Sequence, residues 1–242
     1  MIHFLKKKTS FIDIWSGTPE IHCHVLPGID DGSKDVKTSQ LLIEKYKELG
    51  CPHIIATPHT MHGIYDNTPS SIETSYASIK DKTNGIKLSY SSEYMIDENF
   101  EHLLDTKSIL PIQEKYILIE MSYFQPPENI KEIIFKIGML GYIPILAHPE
   151  RYAYYHNKPE IFKDFKSRGC LLQLNALSLS KHYGESCQKT ALKLLKENSY
   201  DLIGIDTHKI EHLIKIEHIK IRNTYTTALK KICNNTSSLF IS

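Results

Sequence analysis

Short apolar runs alternate along most of this chain with segments whose apolar residues recur at helical spacing. The isoleucines of residues 130–137, for example, repeat with a helical period and precede Gly138, a plausible helix C-cap. Seven runs have the length and composition of strands: 20–26, 53–57, 86–91, 115–120, 142–147, 170–174 and 201–205. Such alternation predicts a parallel α/β architecture, either an open doubly wound sheet or a closed barrel. We expect the last segment, from Ile210 to about Ile232, to form one long closing helix.

The composition indicates one globular domain without a charged surface for nucleic acid. Hydrophobic residues make up 41% of the 242 residues, and no linker or repeat divides the chain. That is enough apolar material for one large core. The 29 Lys and Arg residues nearly balance the 28 Asp and Glu residues, so no global field favours nucleic acid or an anionic membrane.

The sequence shows no feature that indicates export or membrane insertion. The lysines at positions 6–8 are not followed by a long apolar run, so residues 1–16 do not resemble a signal peptide. No apolar stretch approaches the ~20 residues that are needed to cross a bilayer. The five cysteines are scattered, odd in number and without a C-x-x-C pair, which predicts reduced thiols. We therefore expect a cytoplasmic protein.

Histidine and carboxylate residues fall at or just beyond the ends of the predicted strands. The carboxyl ends of parallel strands meet on one face, which is where barrel enzymes place their chemistry. The candidate metal ligands on this face are His22, His24, His59, Glu93, Glu120, His148, Asp206 and His208. Asp31, in the segment Gly28-Ile29-Asp30-Asp31-Gly32, joins them mainly through the resemblance described below.

Each of these residues has an ordinary explanation when it is taken alone. An H-x-H pair lies more often on a surface or in packing than at a metal ion. His59 suits a turn after a proline, His148 suits a hydrogen-bonded core position, and Glu93 suits the solvated end of a strand. Asp30 fits a turn, which is the explanation that we favour for it. For the others, a shared metal site explains their convergence with a single cause.

Five imidazoles and four carboxylates are too many ligands for one ion. The charge of three divalent cations exceeds that of the carboxylates, so with a bridging hydroxide the cluster would stay slightly positive and suit a phosphate dianion. Mixed nitrogen and oxygen ligands without thiolate fit Mn²⁺, Fe²⁺ or Zn²⁺ better than Ca²⁺ or an iron–sulfur centre. We take Mn²⁺ as the expected metal.

Arg151, three residues beyond His148, is the candidate for binding a phosphate. Its ordinary role would be a surface salt bridge, whereas its position favours a fork-shaped donor to two phosphate oxygens. Tyr123, Phe124 and Tyr152 would either stack on a substrate ring at the mouth of the site or pack around the rim. The two explanations for these aromatic residues stay open.

Phosphatase chemistry based on cysteine is excluded by spacing. It requires an arginine six positions after the nucleophilic cysteine. The positions six residues beyond the five cysteines hold Ile29, Thr57, Ala176, Lys193 and Leu239. Because none of these is arginine, a thiolate nucleophile is rejected.

The sequence resembles the polymerase-and-histidinol-phosphatase (PHP) superfamily, most closely its bacterial capsule-associated protein-tyrosine phosphatases. The matching segments are residues 20–32, Ala56-Thr57-Pro58-His59, Ser92-Glu93, Ile119-Glu120, residues 147–152 and Asp206-Thr207-His208. The resemblance covers about residues 18 to 230. It implies a distorted seven-stranded (β/α) barrel of the PHP type, formed by one catalytic domain over residues 18–242 after an N-terminal extension of residues 1–17.

The resemblance also implies three divalent metal ions and distributes the ligands among them. One ion would be held by His22, His24, Glu93 and Asp206. A second ion would be held by Glu93, Glu120 and His148, and the third by Asp31, His59 and His208. Arg151 would bind the substrate phosphate.

We expect hydrolysis of phosphotyrosine on protein, by in-line attack of a metal-bridging hydroxide on phosphorus. Arg151 would stabilise charge on the phosphate oxygens, and Asp206 and His208 are counted with it as catalytic residues. If the leaving tyrosine needs a proton, either His208 or a metal-bound water would donate it. The resemblance implies a bacterial tyrosine kinase of exopolysaccharide assembly as the partner, and the oligomeric state is left open.

Two alternative functions remain. A small-molecule phosphatase, such as a histidinol-phosphate phosphatase, would use the same metal centre with different pocket walls. A non-catalytic PHP-fold binding subunit belongs to another class, but such proteins usually lose ligands that this chain retains.

Overall fold

The computed structural model describes residues 8–241, in which ten strands and nine α-helices are present. The strands are β1 (Lys8–Ser10), β2 (His53–Ala56), β3 (His59–Thr60), β4 (Lys87–Tyr90), β5 (Glu93–Met95), β6 (Tyr116–Glu120), β7 (Ile143–Ala147), β8 (Leu171–Asn175), β9 (Leu202–Gly204) and β10 (Lys220–Arg222). The helices are α1 (Ile12–Trp15), α2 (Val36–Glu48), α3 (Pro69–Ile79), α4 (Phe100–Asp105), α5 (Ile130–Met139), α6 (Glu160–Ser167), α7 (Glu185–Lys196), α8 (Ile210–His218) and α9 (Thr226–Phe240). Short 3₁₀ helices span Lys80–Lys82, Pro149–Arg151, Ala153–Tyr155, Ala176–Leu179 and Asn223–Tyr225.

The central sheet has six parallel strands in the order β3-β5-β6-β7-β8-β9. Two further pairs stand beside it, β2 with β4 in parallel and β1 with β10 antiparallel. The predicted parallel α/β architecture is therefore confirmed. The predicted count of seven strands is not, because the regular sheet in the described part of the chain has six.

The first predicted strand, residues 20–26, forms isolated bridges in place of a regular strand. Its bridges join Glu20 to Ile54 and Cys23 to Thr207. Side-chain oxygens accept hydrogen bonds from backbone N–H groups that would bond to a neighbouring strand in a regular ladder. Glu20 Oε1 accepts from the N–H of His22 at 2.8 Å, and Thr57 Oγ1 accepts from the N–H of Cys23 at 3.1 Å. The segment stays extended and bonded to both neighbours without a regular ladder.

Two predicted strands are each followed, after a break, by a second short strand that was not predicted. Residues 53–57 correspond to β2 and continue into β3, while residues 86–91 correspond to β4 and continue into β5. Pro58 lies at the first break, where its lack of an N–H interrupts the ladder. As a consequence Glu93, which the sequence analysis placed at a strand end, begins β5 opposite His59 of β3.

The predicted single closing helix is wrong. Residues 210–232 contain α8, then β10 and a 3₁₀ turn, and only then the start of α9. Ile219 and Ile221 are buried while the intervening Lys220 is exposed, which is the period of a strand. The N–H of Phe11 donates to the carbonyl of Ile219 at 2.9 Å, so pairing with β1 selects the extended conformation.

The apolar side chains of the helices pack against the sheet as their spacing predicts. Ile130, Ile133, Ile134 and Ile137 of α5 are all buried. A second apolar cluster contains Leu118 of β6 and Ile145 of β7. Since alternate residues share a strand face, Glu120 lies on the same face as Leu118, one step nearer the carboxyl end.

No helix in residues 8–241 has both the length and the apolar composition that crossing a bilayer requires.

Candidate metal centre

The nine predicted ligands lie at or just beyond the carboxyl ends of β2, β4, β6, β7 and β9, or in the first extended segment and the loop that follows it. Seven of them line one cavity of 490 Å³: Asp31, His59, Glu93, Glu120, His148, Asp206 and His208. The other two, His22 and His24, have no solvent exposure. Their side chains nonetheless contact Glu93 and Asp206, so the structure gathers the whole predicted set.

The most buried group of possible ligands consists of His22, His24, Glu93 and Asp206. His22 Nε2 lies 3.0 Å from Glu93 Oε2 and 3.4 Å from Asp206 Oδ1. His24 Nε2 lies 3.5 Å and 3.3 Å from the same two oxygens. Two imidazole nitrogens thus face two carboxylate oxygens around one point, which is a donor set for a divalent transition metal.

A second group lies nearer the solvent and contains His24, Asp31, His59 and His208. Asp31 Oδ1 is 3.5 Å from His59 Nε2 and 3.4 Å from His208 Nε2. The Asp31 side chain is 51% exposed, whereas those of His59 and His208 are 12% and 19% exposed. The carboxylate therefore closes the group on its solvent side.

The third group contains His59, Glu93 and Glu120. His59 Nδ1 lies 3.2 Å from Glu93 Oε2 and 2.9 Å from Glu120 Oε1. His148, which the resemblance places with the two glutamates, has its Nε2 atom 3.1 Å from Glu93 Oε1. Glu93 is consequently in contact with histidines of all three groups.

The buried polar atoms of this cluster indicate that cations complete it. Atoms of six predicted ligands are buried in the described structure without a hydrogen bond: His22 Nε2, His24 Nε2, His59 Nδ1, Glu93 Oε2, Glu120 Oε1 and His148 Nδ1. Buried polar atoms are normally satisfied, and unsatisfied ones call for an explanation such as an ion. The residues present therefore fit divalent metal ions.

Without metal, the cluster is held together by its own charges. Burial lowers the pKa of His22, but the Glu93 and Asp206 carboxylates outweigh that effect and raise it to about 9. Burial would raise the pKa of Glu93, yet the charges of His22 and His59 hold it well below its usual range. A metal ion would replace these protons, since a histidine ligand must be neutral.

Backbone strain is also located at this site. His148 and Asp206 adopt φ values of 36° and 59°, in the left-handed region that non-glycine residues rarely occupy. Each such residue costs on the order of 1–3 kcal/mol and persists only where its surroundings enforce it. His148 directly follows β7 and Asp206 lies two residues beyond β9, and the turn at each position aims the side chain into the cluster.

Two residues that the sequence analysis did not assign to the site orient its histidines. Gln173 Oε1 lies 3.0 Å from His22 Nδ1, and Asp30 Oδ2 lies 2.7 Å from His24 Nδ1. Asp30 also accepts from the N–H of Gly32, so the predicted turn is present but is only part of its role. Partners of this kind fix the ring orientation and leave Nε2 free to bind a metal.

We predict that Asp30→Asn lowers metal affinity by roughly 10- to 100-fold, the usual cost of losing such a partner. The uncharged amide cannot raise the basicity of the His24 ring as the negatively charged carboxylate does. Titration calorimetry with Mn²⁺ measures the change. Asp66→Asn is the matched control, because its side chain is 68% exposed and bonds to Gly63 in a neighbouring loop. Equal affinity in the two variants would remove Asp30 from the site.

Arg151 lies in the cavity wall with its guanidinium between two tyrosine rings. Its Cζ atom is 4.6 Å from the ring centre of Tyr123 and 4.2 Å from that of Tyr183. Its Nη1 donates to Asp206 Oδ2 at 2.8 Å, and the side chain is 20% exposed. Arg151 is thus held in place beside the cluster rather than extended into solvent.

The sequence analysis missed Tyr183 and Asn175 in this wall. Asn175 Nδ2 donates to Asp206 Oδ2 at 3.0 Å and to the hydroxyl of Tyr183 at 3.2 Å. Asn175 ends β8, so the rule that found the ligands, a polar residue at a strand end, also points to it. Tyr183 lies in the turn after a 3₁₀ helix, where the strand-end rule does not apply.

Glu150 is a buried carboxyl that holds the Arg151 loop against β8. Its Oε1 accepts from the N–H of Asn175 at 3.0 Å, and its Oε2 accepts from the hydroxyl of Tyr200 at 2.9 Å. Burial raises its pKa above the usual value. Glu150 therefore positions the segment that carries the phosphate-binding candidate.

Glu150→Ala is expected to lower the free energy of unfolding by about 1–3 kcal/mol, because two buried donors lose their acceptor. Urea unfolding measures this loss. The exposed Glu128→Ala is the control, and we expect it to change stability by less than about 0.5 kcal/mol. A stability equal to that of the control would contradict the structural role of Glu150.

The three aromatic residues whose roles the sequence left open have different positions in the structure. Tyr123 and Phe124 line the cavity, and Phe124 is 96% exposed. Tyr152 has no exposure, and its hydroxyl accepts from the N–H of Met121 at 3.0 Å. Tyr152 is therefore a packing residue, while the other two lie where a substrate ring would enter.

A parallel α/β fold with histidines and carboxylates gathered at its strand ends is typical of metal-dependent hydrolases. The chain belongs to the capsular polysaccharide synthesis family CpsB/CapC, whose family model matches residues 18–238. This membership confirms the resemblance seen in the motifs.

Individual relatives agree with the family assignment. Tyrosine-protein phosphatase YwqE of Bacillus subtilis strain 168 is 28% identical over 197 residues, which are 79% of this chain and 78% of the relative. Tyrosine-protein phosphatase CpsB of Streptococcus agalactiae serotype V is 26% identical over 202 residues, with 79% and 83% covered. A solved structure described as YwqE from Bacillus subtilis and CpsB from Streptococcus pneumoniae, unique metal-dependent tyrosine phosphatases, has a TM-score of 0.80 at 24% identity. It covers 92% of this chain and 94% of its own, and it shows a shared fold.

Proposed function

We propose that this protein is a metal-dependent phosphomonoesterase that hydrolyses phosphotyrosine on protein. One observation carries the proposal: seven histidine and carboxylate residues line a cavity whose wall also holds the guanidinium of Arg151, and the buried His22 and His24 contact two of them. Membership of the family and the names of the relatives support the same activity.

The proposed cofactor is three divalent metal ions, with Mn²⁺ preferred to Fe²⁺ or Zn²⁺. Three overlapping groups of ligand atoms support this number. Bound metal would supply Lewis-acid stabilisation of the phosphate and a nucleophile at neutral pH. The proposed ligands are His22, His24, Asp31, His59, Glu93, Glu120, His148, Asp206 and His208.

The chain's own residues would bind and orient the phosphate. The guanidinium of Arg151 offers a planar fork to two phosphate oxygens, and the rings of Tyr123 and Tyr183 limit its movement. Asp206 contacts this guanidinium as well as the buried histidines. His208 lines the same cavity, and either it or a water would donate a proton to the leaving tyrosine if one is needed. We therefore propose catalytic roles for Arg151, Asp206 and His208.

The cavity walls favour an aromatic leaving group. Ile64, Tyr65, Tyr123 and Phe124 line the cavity beside the ligands, and Ile64 and Phe124 are 66% and 96% exposed. A phenyl ring gains from burial against such side chains and from stacking on their rings. Phosphotyrosine presents such a ring directly beside its phosphate.

For the finer fold we propose a distorted seven-stranded barrel, with residues 18–242 as one catalytic domain after the extension 1–17. Backbone bonds of the first extended segment support closure. The N–H of Ile55 donates to Glu20 on one side, and the N–H of His24 donates to Thr207 on the other. The segment would thus join the two ends of the sheet.

We further propose a cytoplasmic location and a tyrosine kinase of exopolysaccharide assembly as the substrate protein. The family's link to capsular polysaccharide synthesis supports the partner. All five cysteines are free and buried, which fits a reducing compartment.

The test is phosphate release from a phosphotyrosine peptide by purified protein with added Mn²⁺. We expect turnover that stops with chelator and returns when Mn²⁺ is restored. Phosphoserine peptide and histidinol phosphate are the comparison substrates. Turnover that survives chelation would refute the metal mechanism, and faster hydrolysis of histidinol phosphate would favour the small-molecule alternative. A metal-loaded protein without any phosphatase activity would favour the non-catalytic alternative.

A further inference from the structure

A second cavity leads away from the metal centre into a strip of basic residues. This cavity, of 380 Å³, shares Asp31, Arg151, Asp206 and His208 with the active-site cavity. It is also lined by His182, which in turn lines an outer cavity of 680 Å³. We name this strip the basic groove and define it by Lys181, His182, Lys209, Lys215, His218 and Lys220.

The positive charge of the basic groove is largely uncompensated. No carboxylate is among the described residues that line the outer cavity. Lys215 Nζ donates to His182 Nδ1 at 2.9 Å, an interaction that leaves the lysine charge in place. Lys181 is 68% exposed and lies 3.6 Å from Glu185, a surface pair that contributes little. The groove therefore presents several cations to solvent.

Another part of the rim of the active-site cavity, away from the residues shared with the second cavity, is acidic. We define this acidic lip by Asp66, Asp97 and Glu98. Asp97 lines the active-site cavity, and its Oδ2 accepts from the N–H of His62 at 2.8 Å. The side chains of Asp66 and Glu98 are 68% and 85% exposed. The cavity that holds the proposed ligands thus has acidic residues at one part of its rim and connects to the basic groove at another.

We propose that the basic groove binds an acidic stretch of the substrate polypeptide on one side of its phosphotyrosine. This inference rests on the phosphatase function proposed above. The groove is continuous with the cavity that holds Arg151, so a chain whose phosphate reaches the centre can pass along it. Charge complementarity draws acidic residues to the groove, and repulsion keeps them from the acidic lip. The two surfaces together select the direction of the bound chain.

Three phosphotyrosine peptides of equal length test the proposal. One carries glutamates before the phosphotyrosine, one carries them after it, and one carries glutamines at both sets of positions. We expect one of the two acidic peptides to show a kcat/KM about tenfold above that of the glutamine peptide at low ionic strength. The gain should shrink as salt rises, because exposed charges are screened over a Debye length of about 8–10 Å near physiological salt.

A double variant tests whether the preference for an acidic peptide arises from the basic groove. Lys181→Glu combined with Lys220→Glu is expected to bring the kcat/KM ratio of the preferred acidic peptide to the glutamine peptide down to about one. Lys230→Glu with Lys231→Glu is the matched control, since it makes the same charge change at exposed positions of α9. The control should keep the ratio of the unmodified protein.

The outcomes separate this inference from the function on which it rests. Three results would overturn the proposal that the basic groove binds the acidic stretch. They are equal gains in kcat/KM for both acidic peptides, no gain for either, and a gain that the groove variant retains. Failure of all three peptides to release phosphate in the presence of Mn²⁺ would overturn the phosphatase function itself.

Discussion

Replacing Glu93 by Gln is expected to lower phosphatase activity by more than the roughly 100-fold that loss of an outer partner costs a metal site. Glu93 has no exposure, and its Oε2 lies 3.0 Å from His22 Nε2 and 3.2 Å from His59 Nδ1. Its Oε1 is 3.1 Å from His148 Nε2. The substitution keeps the shape but removes a charge that faces all three imidazoles, so we expect metal content to fall as well.

Metal analysis of the saturated protein and steady-state kinetics check this prediction together. Glu128→Gln is the matched control, because its side chain is exposed and belongs to neither the ligand cluster nor the acidic lip. Circular dichroism establishes that the Glu93 variant is folded. A folded Glu93→Gln protein with full metal content and activity within about tenfold of the original would eliminate Glu93 as a shared ligand.

The second large effect is expected at Arg151. Arg151→Ala should lower kcat/KM for a phosphotyrosine peptide by about 10²–10³, the usual cost of removing one preorganised donor to developing charge. Arg151→Lys should recover only part of this loss, because an ammonium cannot present the planar fork or stack between Tyr123 and Tyr183 as a guanidinium does.

Metal content separates this role from a ligand role, and it should stay unchanged in both Arg151 variants. Arg168→Ala is the control, since that side chain pairs with Asp164 on the surface of α6 and should not affect turnover. An Arg151→Ala protein with full activity would show that the contact with Asp206 is only structural.

Several parts of this protein followed from local sequence patterns. The isoleucines of α5 were predicted to face the core because helical spacing places them on one face, and all four are buried. Eight of the nine proposed ligands followed from a single rule about strand ends, which holds because parallel strands all point the same way, while Asp31 came mainly from the family resemblance. Asn175, which was not among the predicted residues, also lies at a strand end.

Other features depended on residues that are distant in the chain. Gln173 orients His22 across 151 positions, and no local pattern identifies such a partner. The break between α8 and α9 likewise arose from pairing with β1, more than 200 positions earlier. The first extended segment lost its regular ladder because the buried Glu20 carboxylate accepts backbone bonds, including that of Ile205 at 3.1 Å.

The sequence by itself determined the alternation of strands and helices, the chemistry of the donor set and the end of the sheet where it gathers. These depend on residue type and short-range period, which the chain carries without reference to its fold. Tertiary structure alone decided which histidine meets which carboxylate, how Arg151 is held between two rings, and where the basic groove meets the centre. Those relations are distances between side chains from separate elements, and they exist only once packing has brought the elements together.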